Sequence, residues 1–171
     1  MNKRTIALTT EQYKEIIQTM REGFCGCRPN ERIATVLVLE GNLGLRISDI
    51  LSLRLSDIVR DGDRYRLEIT EQKTKKKRVF TVPLVIQQYI ENYCLRNGIG
   101  KTERIFNLTE RAISKQLALV CDYLGFEGIG THSFRKWYAT EIYKNNGYDI
   151  TLVQRLLQHK FCCHYTALYW N

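Results

Sequence analysis

Apolar positions recur every three or four residues over most of this chain, and every second residue over one short stretch in its middle. Tyr13, Ile16, Ile17 and Met20 follow at helical spacing behind Thr9-Thr10-Glu11-Gln12, where Thr9 is placed to cap and Gln12 to return a hydrogen bond. Gly23 to Arg28 breaks the pattern, and Pro29 suits the first position of the next helix. That helix, largely apolar, runs through Ile33, Val36, Leu37 and Glu40 and ends near Gly41 or Gly44. A short helix from Arg46 to Leu51 comes next.

The period then changes. Asp57 to Val59, Arg64 to Thr70 and Arg78 to Val82 read as three short strands, with Asp61-Gly62-Asp63 as the first turn. Leu67 and Ile69 alternate with Arg66 and Glu68, as a half-buried strand requires, and Pro83 ends the meander. Helices return: Val85, Ile86, Tyr89, Ile90, Tyr93 and Cys94 share one face, closed by Gly98. Thr109 is placed to cap a helix through Ile113, Leu117, Val120 and Leu124, stopped at Gly125. After the Gly128-Ile129-Gly130 loop, Thr131 is placed to cap a helix to Asn145; Asp149 or Thr151 starts another, carrying Leu152, Val153, Leu156 and Leu157. The expectation is an α+β fold, mainly helical, with a small three-stranded antiparallel sheet inserted among the helices. No internal repeat is visible.

Composition adds little to that picture and charge adds one thing. At 171 residues, 44% hydrophobic and 26% charged, the chain reads as one ordinary globular domain. Its longest apolar run, Val36 to Leu39, is too short to cross a bilayer, and no apolar stretch follows the basic start, so a cytoplasmic protein is expected. Cys25, Cys27, Cys94, Cys121, Cys162 and Cys163 are then read as free thiols. Cys162 and Cys163 are adjacent beside His159 and His164, a spacing unlike familiar zinc sites, so no metal is expected. The net charge of +8 favours a polyanionic partner, and Lys73, Lys75, Lys76, Lys77 and Arg78 concentrate it in one run.

Four local patterns carry chemistry. In Gly44-Leu45-Arg46-Ile47-Ser48-Asp49, Arg46 and Asp49 stand three apart, so the carboxylate is placed to brace the guanidinium; a surface ion pair has the same spacing. In Thr131-His132-Ser133-Phe134-Arg135, an imidazole and a guanidinium share a helix face at a helix start, which suits a phosphodiester. Leu156-Leu157-Gln158-His159 ends an apolar helix on a histidine, a position that also suits a plain dipole partner. Lys73 lies on the hairpin between the second and third strands.

The order Arg, hairpin Lys, His-x-x-Arg, Leu-Leu-x-His, C-terminal Tyr resembles the tyrosine recombinase (phage integrase) family, from Thr9 to Tyr169. The resemblance implies a catalytic domain that recombines DNA site-specifically, cutting through a 3′-phosphotyrosyl intermediate with topoisomerase IB-like chemistry, in a phage or other mobile genetic element. It implies that Arg46 and Arg135 clamp the scissile phosphate, His132 moves a proton and His159 hydrogen-bonds a phosphate oxygen. Lys73 would protonate the departing 5′ oxygen, with Lys75 next in line, and Asp49 would support Arg46. The family's nucleophile stands nine or ten residues past the last histidine; Tyr169 is ten beyond His159 and Tyr165 six, so Tyr169 is chosen. Lys75, Lys76, Lys77 and Arg78 would contact DNA. The implied partners are double-stranded DNA and further copies of the chain, as dimer or tetramer in a synapse; no cofactor is implied, since arginines stand where many nucleases hold a metal.

Four departures stand out. Gln158 replaces a usual glycine and Phe134 a frequent leucine, neither a reacting group. Only Trp170 and Asn171 follow Tyr169, where many relatives carry a further helix. The catalytic domain begins almost at Met1, so residues 1–171 are expected to form a single such domain, without an N-terminal core-binding or arm-binding domain. These departures keep a second class open, a DNA-binding regulator with the recombinase fold that does not cut. A covalent protein–DNA adduct separates the two.

Overall fold

The structure, a computed structural model, describes residues 4–157. These fall into two compact units: one takes the chain up to Arg46 and again from Glu110 onward, the other is Ile47–Thr109.

The first unit is helical: α1 Thr10–Glu22, α2 Glu31–Leu43, α5 Glu110–Leu124, α6 Thr131–Asn145 and α7 Ile150–Leu157. The expected capping box opens α1, with Thr9 Oγ1 accepting from the Gln12 N–H and Gln12 Oε1 from the Thr9 N–H. Pro29 is not the first residue of α2; Asn30 caps it, its Oδ1 accepting from the Ile33 N–H at 3.0 Å, because a side-chain acceptor satisfies a donor that proline leaves unmet. Residues Ile33 to Gly41 of α2 are all buried, so this helix is the centre of the unit, with α1 and α6 packed on it. The rings of Tyr13 and Trp137 stack at 4.1 Å beside Gly41, where an added Cβ would lie 3.1 Å from Tyr13 and 3.2 Å from Trp137. Gly44 ends α2 in the left-handed region, at φ +64°.

Thr131 does not cap α6; Gly130 does, and Ser133 Oγ accepts from its N–H at 3.1 Å, so Thr131 is the first helical residue. For α7 the open choice falls on Asp149, whose Oδ1 accepts from the Leu152 N–H. Ala139, Val153 and Leu157 bury a small cluster of their own, with Tyr138, Ile142, Tyr143 and Ile150 packed around it. That cluster fixes α7 to α6.

The second unit holds α3 Ile47–Leu51, a 3-10 turn Leu55–Asp57, β1 Ile58–Asp61, β2 Arg64–Thr70, β3 Lys77–Val82 and α4 Leu84–Arg96. The strands form an antiparallel sheet in the order β1-β2-β3, with Ile58 opposite Leu67 and Leu67 opposite Phe80. The face of α4 differs from expectation. Gln87, Ile90, Tyr93 and Cys94 are buried while Val85, on the first turn after Pro83, is 74% exposed. Among the described residues, no helix is long and apolar enough to cross a membrane.

Candidate active site

Arg135 is the organising residue of the first unit. It sits on the second turn of α6, half-buried, and its Nε donates to the Gly44 carbonyl at 2.9 Å. Its Nη2 donates to the Leu157 carbonyl at 3.2 Å. The Gly44 carbonyl caps α2, where helix carbonyls lack intrahelical partners and carry the negative end of the helix dipole. One guanidinium therefore ties the end of α2, two residues before Arg46, to Leu157 of α7, two residues before His159 in sequence. Rigid donors fixed on two backbone oxygens leave the guanidinium plane pre-oriented rather than free to swing.

Several groups surround that tie. Gly44 has no room for a side chain, since a Cβ would lie 2.4 Å from the Tyr138 ring. Arg46 is half-buried in the link between α2 and α3. His132 is exposed on the first turn of α6, three residues before Arg135 and so on the same helix face, at an N-terminus that favours anions. Three of the four sequence patterns thus bear on one short stretch of space around Arg135. His159 and Tyr169, like Tyr165, Cys162, Cys163 and His164, lie outside the described residues.

One residue here was not singled out from sequence. Glu40, on the last full turn of α2, is completely buried, and among the described residues neither carboxyl oxygen has a hydrogen-bond partner. Burial pushes its pKa well above the ordinary carboxylate range; the charge of Arg135 pulls the other way and Glu110 adds to the rise. The available signal was a lone acid closing the apolar run Val36 to Leu39.

In the second unit, Asp49 is buried on α3, and its Oδ1 accepts from the backbone N–H of Gln72 at 2.8 Å. The residue expected only to brace Arg46 thus holds the hairpin next to Lys73. Residues 71–76 form that hairpin between Thr70 and Lys77, which are paired. Its base is tied by Glu71 N–H to Lys76 O and by Lys75 N–H to Glu71 O, each 2.9 Å. Buried Glu71 also receives the Thr74 hydroxyl. Lys75 takes the left-handed conformation at φ 57°, uncommon for a side-chain-bearing residue, to turn the chain there. Lys73, Lys75, Lys76 and Lys77 are exposed. Arg78 differs from the expected DNA-facing cation: it is 2% exposed and its guanidinium lies 4.8 Å from the Phe80 ring centroid. Strand alternation explains the difference, because Arg78 and Phe80 share a face while Lys77 and Val79 point outward.

Among the described residues, no three His, Cys, Asp or Glu side chains gather as a metal site. Cys94 and Cys121 are buried, and burial with Asp122 nearby pushes the Cys121 thiol up to about 11.

The sequence matches the model of the phage integrase family over residues 7–170. It is 33% identical over 138 residues to a probable integrase/recombinase, YoeC, of Bacillus subtilis (strain 168), covering 76% of this chain and 72% of that protein. It is 27% identical over 164 residues to the tyrosine recombinase XerA of Pyrococcus furiosus, covering 90% of this chain and 53% of XerA. Its fold is similar to that of XerH site-specific recombinase bound to difH substrate in a pre-cleavage complex (TM-score 0.70, 19% identity, 94% of this chain and 49% of that one). It is also similar to a lambda integrase dimer bound to a COC′ core site (TM-score 0.72, 20% identity, 98% and 50%). The chain thus spans about half the length of XerA and of these two structures.

Proposed function

This chain belongs to the phage integrase family, and from that premise we propose that it is the catalytic domain of a site-specific tyrosine recombinase, both units together. The observation that carries the proposal is the double anchoring of Arg135. Its bonds to Gly44 and Leu157 draw the Gly-Leu-Arg, His-x-x-Arg and Leu-Leu-x-His segments around one guanidinium.

In this reading Arg46 and Arg135 clamp the non-bridging oxygens of a scissile phosphate and stabilise the charge of its pentacoordinate transition state. His132 takes the nucleophile's proton, and His159 donates to a phosphate oxygen. The Tyr169 phenol, protonated at neutral pH because its ordinary pKa is near 10, attacks phosphorus once the arginines and His132 lower that barrier. The P–O5′ bond breaks, Lys73 delivers a proton to the leaving oxygen, and a 3′-phosphotyrosine remains. Attack by another strand's 5′ hydroxyl reverses the step and releases the enzyme, with the bond energy conserved throughout. Lys75, Lys76 and Lys77 neutralise backbone phosphates, while Arg78 supports the hairpin from within. Self-association on DNA and a cytoplasmic, nucleoid-bound location follow from the same reading. XerH bound to difH and a lambda integrase tetramer on a Holliday junction support it by likeness of fold.

Relaxation of supercoiled plasmid at low salt, with EDTA and without ATP, tests the proposal without knowledge of the target site. Wild type and Tyr165→Phe should relax the plasmid; Tyr169→Phe and Arg135→Ala should not. A denaturant-stable protein–DNA adduct should accompany relaxation. Binding without relaxation or adduct would instead support a regulator that does not cut.

A further inference from the structure

The most unusual group in the first unit is the buried carboxyl of Glu40. It is fully removed from solvent, neither oxygen is hydrogen-bonded, and it sits one helical turn before Gly44, whose carbonyl holds Arg135. The Gly44 N–H in turn donates to the Glu40 carbonyl at 3.0 Å, so the two residues are fixed to each other through the backbone. An ionised carboxylate so placed has three options: to pair with the guanidinium, to find other donors, or to take up a proton. Among the described residues no hydrogen bond to Arg135 is made, and no other donor reaches it.

The surroundings agree with the third option. Helix α6 brings Arg135 and the phenol of Tyr138, whose ring lies against Gly44. Helix α5 opens with Glu110, whose charge opposes ionisation. Arg135 alone favours the carboxylate, and burial outweighs it.

We infer that Glu40 is a positioning residue for Arg135, a neutral acid kept in the α2–α6 interface so that the charge of the guanidinium stays available to a DNA phosphate. An apolar side chain there would add no negative charge either, but a carboxyl adds a setting that an apolar group lacks. Once ionised, it competes electrostatically with phosphate for the same cation, which the Gly44 and Leu157 carbonyls hold in place. The site is then progressively withdrawn as pH rises and the raised carboxyl ionises. The inference takes its cleavage arm from the recombinase reading; its binding arm stands without it.

The test compares full-length wild type with Glu40→Gln, a neutral side chain of nearly the same shape, from about pH 6 to about pH 10. Two readouts run in parallel: binding of a random-sequence duplex by fluorescence anisotropy, and relaxation of supercoiled plasmid. Thermal melts at each pH establish that both proteins are folded. The expected result is a Glu40→Gln advantage over wild type that grows toward alkaline pH, by roughly fivefold or more, in both readouts. In the Arg135→Ala background the binding advantage should vanish. A ratio flat across pH, with both proteins folded, overturns the inference. So does a Glu40→Gln protein that is weaker at every pH, since the ionised carboxylate would then be the working form. If wild type relaxes no plasmid at any pH, the cleavage reading fails separately and the binding ratio still decides the role of Glu40.

Discussion

Replacing Gly44 with alanine disturbs backbone, packing and the arginine anchor together, and the structure sets the size of each effect. At φ +64° the residue lies in the left-handed region, where a Cβ costs about 1–2 kcal/mol. The new methyl would also fall 2.4 Å from both Cδ1 and Cε1 of Tyr138, inside any real contact distance, so the ring must move. Overpacking of that kind costs about 1–3 kcal/mol, which brings the sum to about 2–5 kcal/mol. That is a large share of the stability of an ordinary domain. Urea unfolding followed by circular dichroism measures it, with an unchanged m-value as the sign that only stability has moved. In a Tyr138→Ala background the ring contact is gone and the strain remains, so the cost of Gly44→Ala should fall to about 1–2 kcal/mol. A cost below about 1 kcal/mol in the wild-type background would refute both the left-handed assignment and the ring contact, and one that Tyr138→Ala leaves unchanged would refute the ring contact. Activity gives an independent reading. Because the Gly44 carbonyl fixes Arg135 Nε, plasmid relaxation by fully folded Gly44→Ala should drop roughly tenfold or more, beyond any loss of folded protein.

Three further perturbations address separate joints of the molecule. Asp49→Ala leaves the Gln72 N–H without its acceptor, costing about 1–3 kcal/mol; amide exchange at residue 72 should quicken and relaxation should slow, whereas unchanged protection at that amide counts against the hairpin anchor. Val153→Ala removes bulk from a cluster whose other buried members among the described residues are Ala139 and Leu157, and costs about 1–3 kcal/mol. Exchange should then speed up in α7 while α2 stays protected, because the cluster is separate from the main core; uniform acceleration in both helices would show that it is not. The raised pKa of Glu40 predicts the pH dependence of stability itself. Above its ordinary value of 4.5 the unfolded chain has released a proton that the folded protein still holds, so stability present at lower pH is lost as pH rises towards the native value. Glu40→Gln lacks that loss. Its stability advantage in urea should grow with pH and then level off, and a constant difference would mean that the group titrates alike in both states.

The elements were legible because their signals are local. A change of apolar period from about 3.6 to 2 marked the sheet, and β2 occupies Arg64–Thr70, the stretch where Leu67 and Ile69 alternate with charged neighbours. Where two residues competed for one terminus, the side chain that could accept a hydrogen bond won. Asn30 capped α2 in place of Pro29 as first residue, and Asp149 rather than Thr151 opened α7. Gly130 before α6 is the exception, since it has no side chain; Ser133 serves by reaching back to it. The inward turn of Gln87 on α4 was not legible, because a helix period fixes which residues share a face and not which face meets the sheet.

The candidate site divides along the same line. Its reacting side chains were visible as spaced residue types, but its construction rests on groups with no sequence signature. The Gly44 and Leu157 carbonyls belong to every residue type equally, and only the packing of α2 and α7 against α6 makes them the two anchors of Arg135. Asp49 was placed by its three-residue spacing from Arg46, yet one of its oxygens serves a backbone N–H twenty-three positions later in the chain, a partner that helical spacing cannot express. Glu40 was hidden for a different reason. An acid on an apolar face reads as a helix edge turning to solvent, and its meaning changes only when the opposite side is known to be covered by α6. A charge-bearing residue that closes an apolar run and precedes a helix-ending glycine by one turn therefore identifies a buried acid only when the glycine's carbonyl is itself in use. In this chain it is, by the arginine whose charge the acid would otherwise cancel.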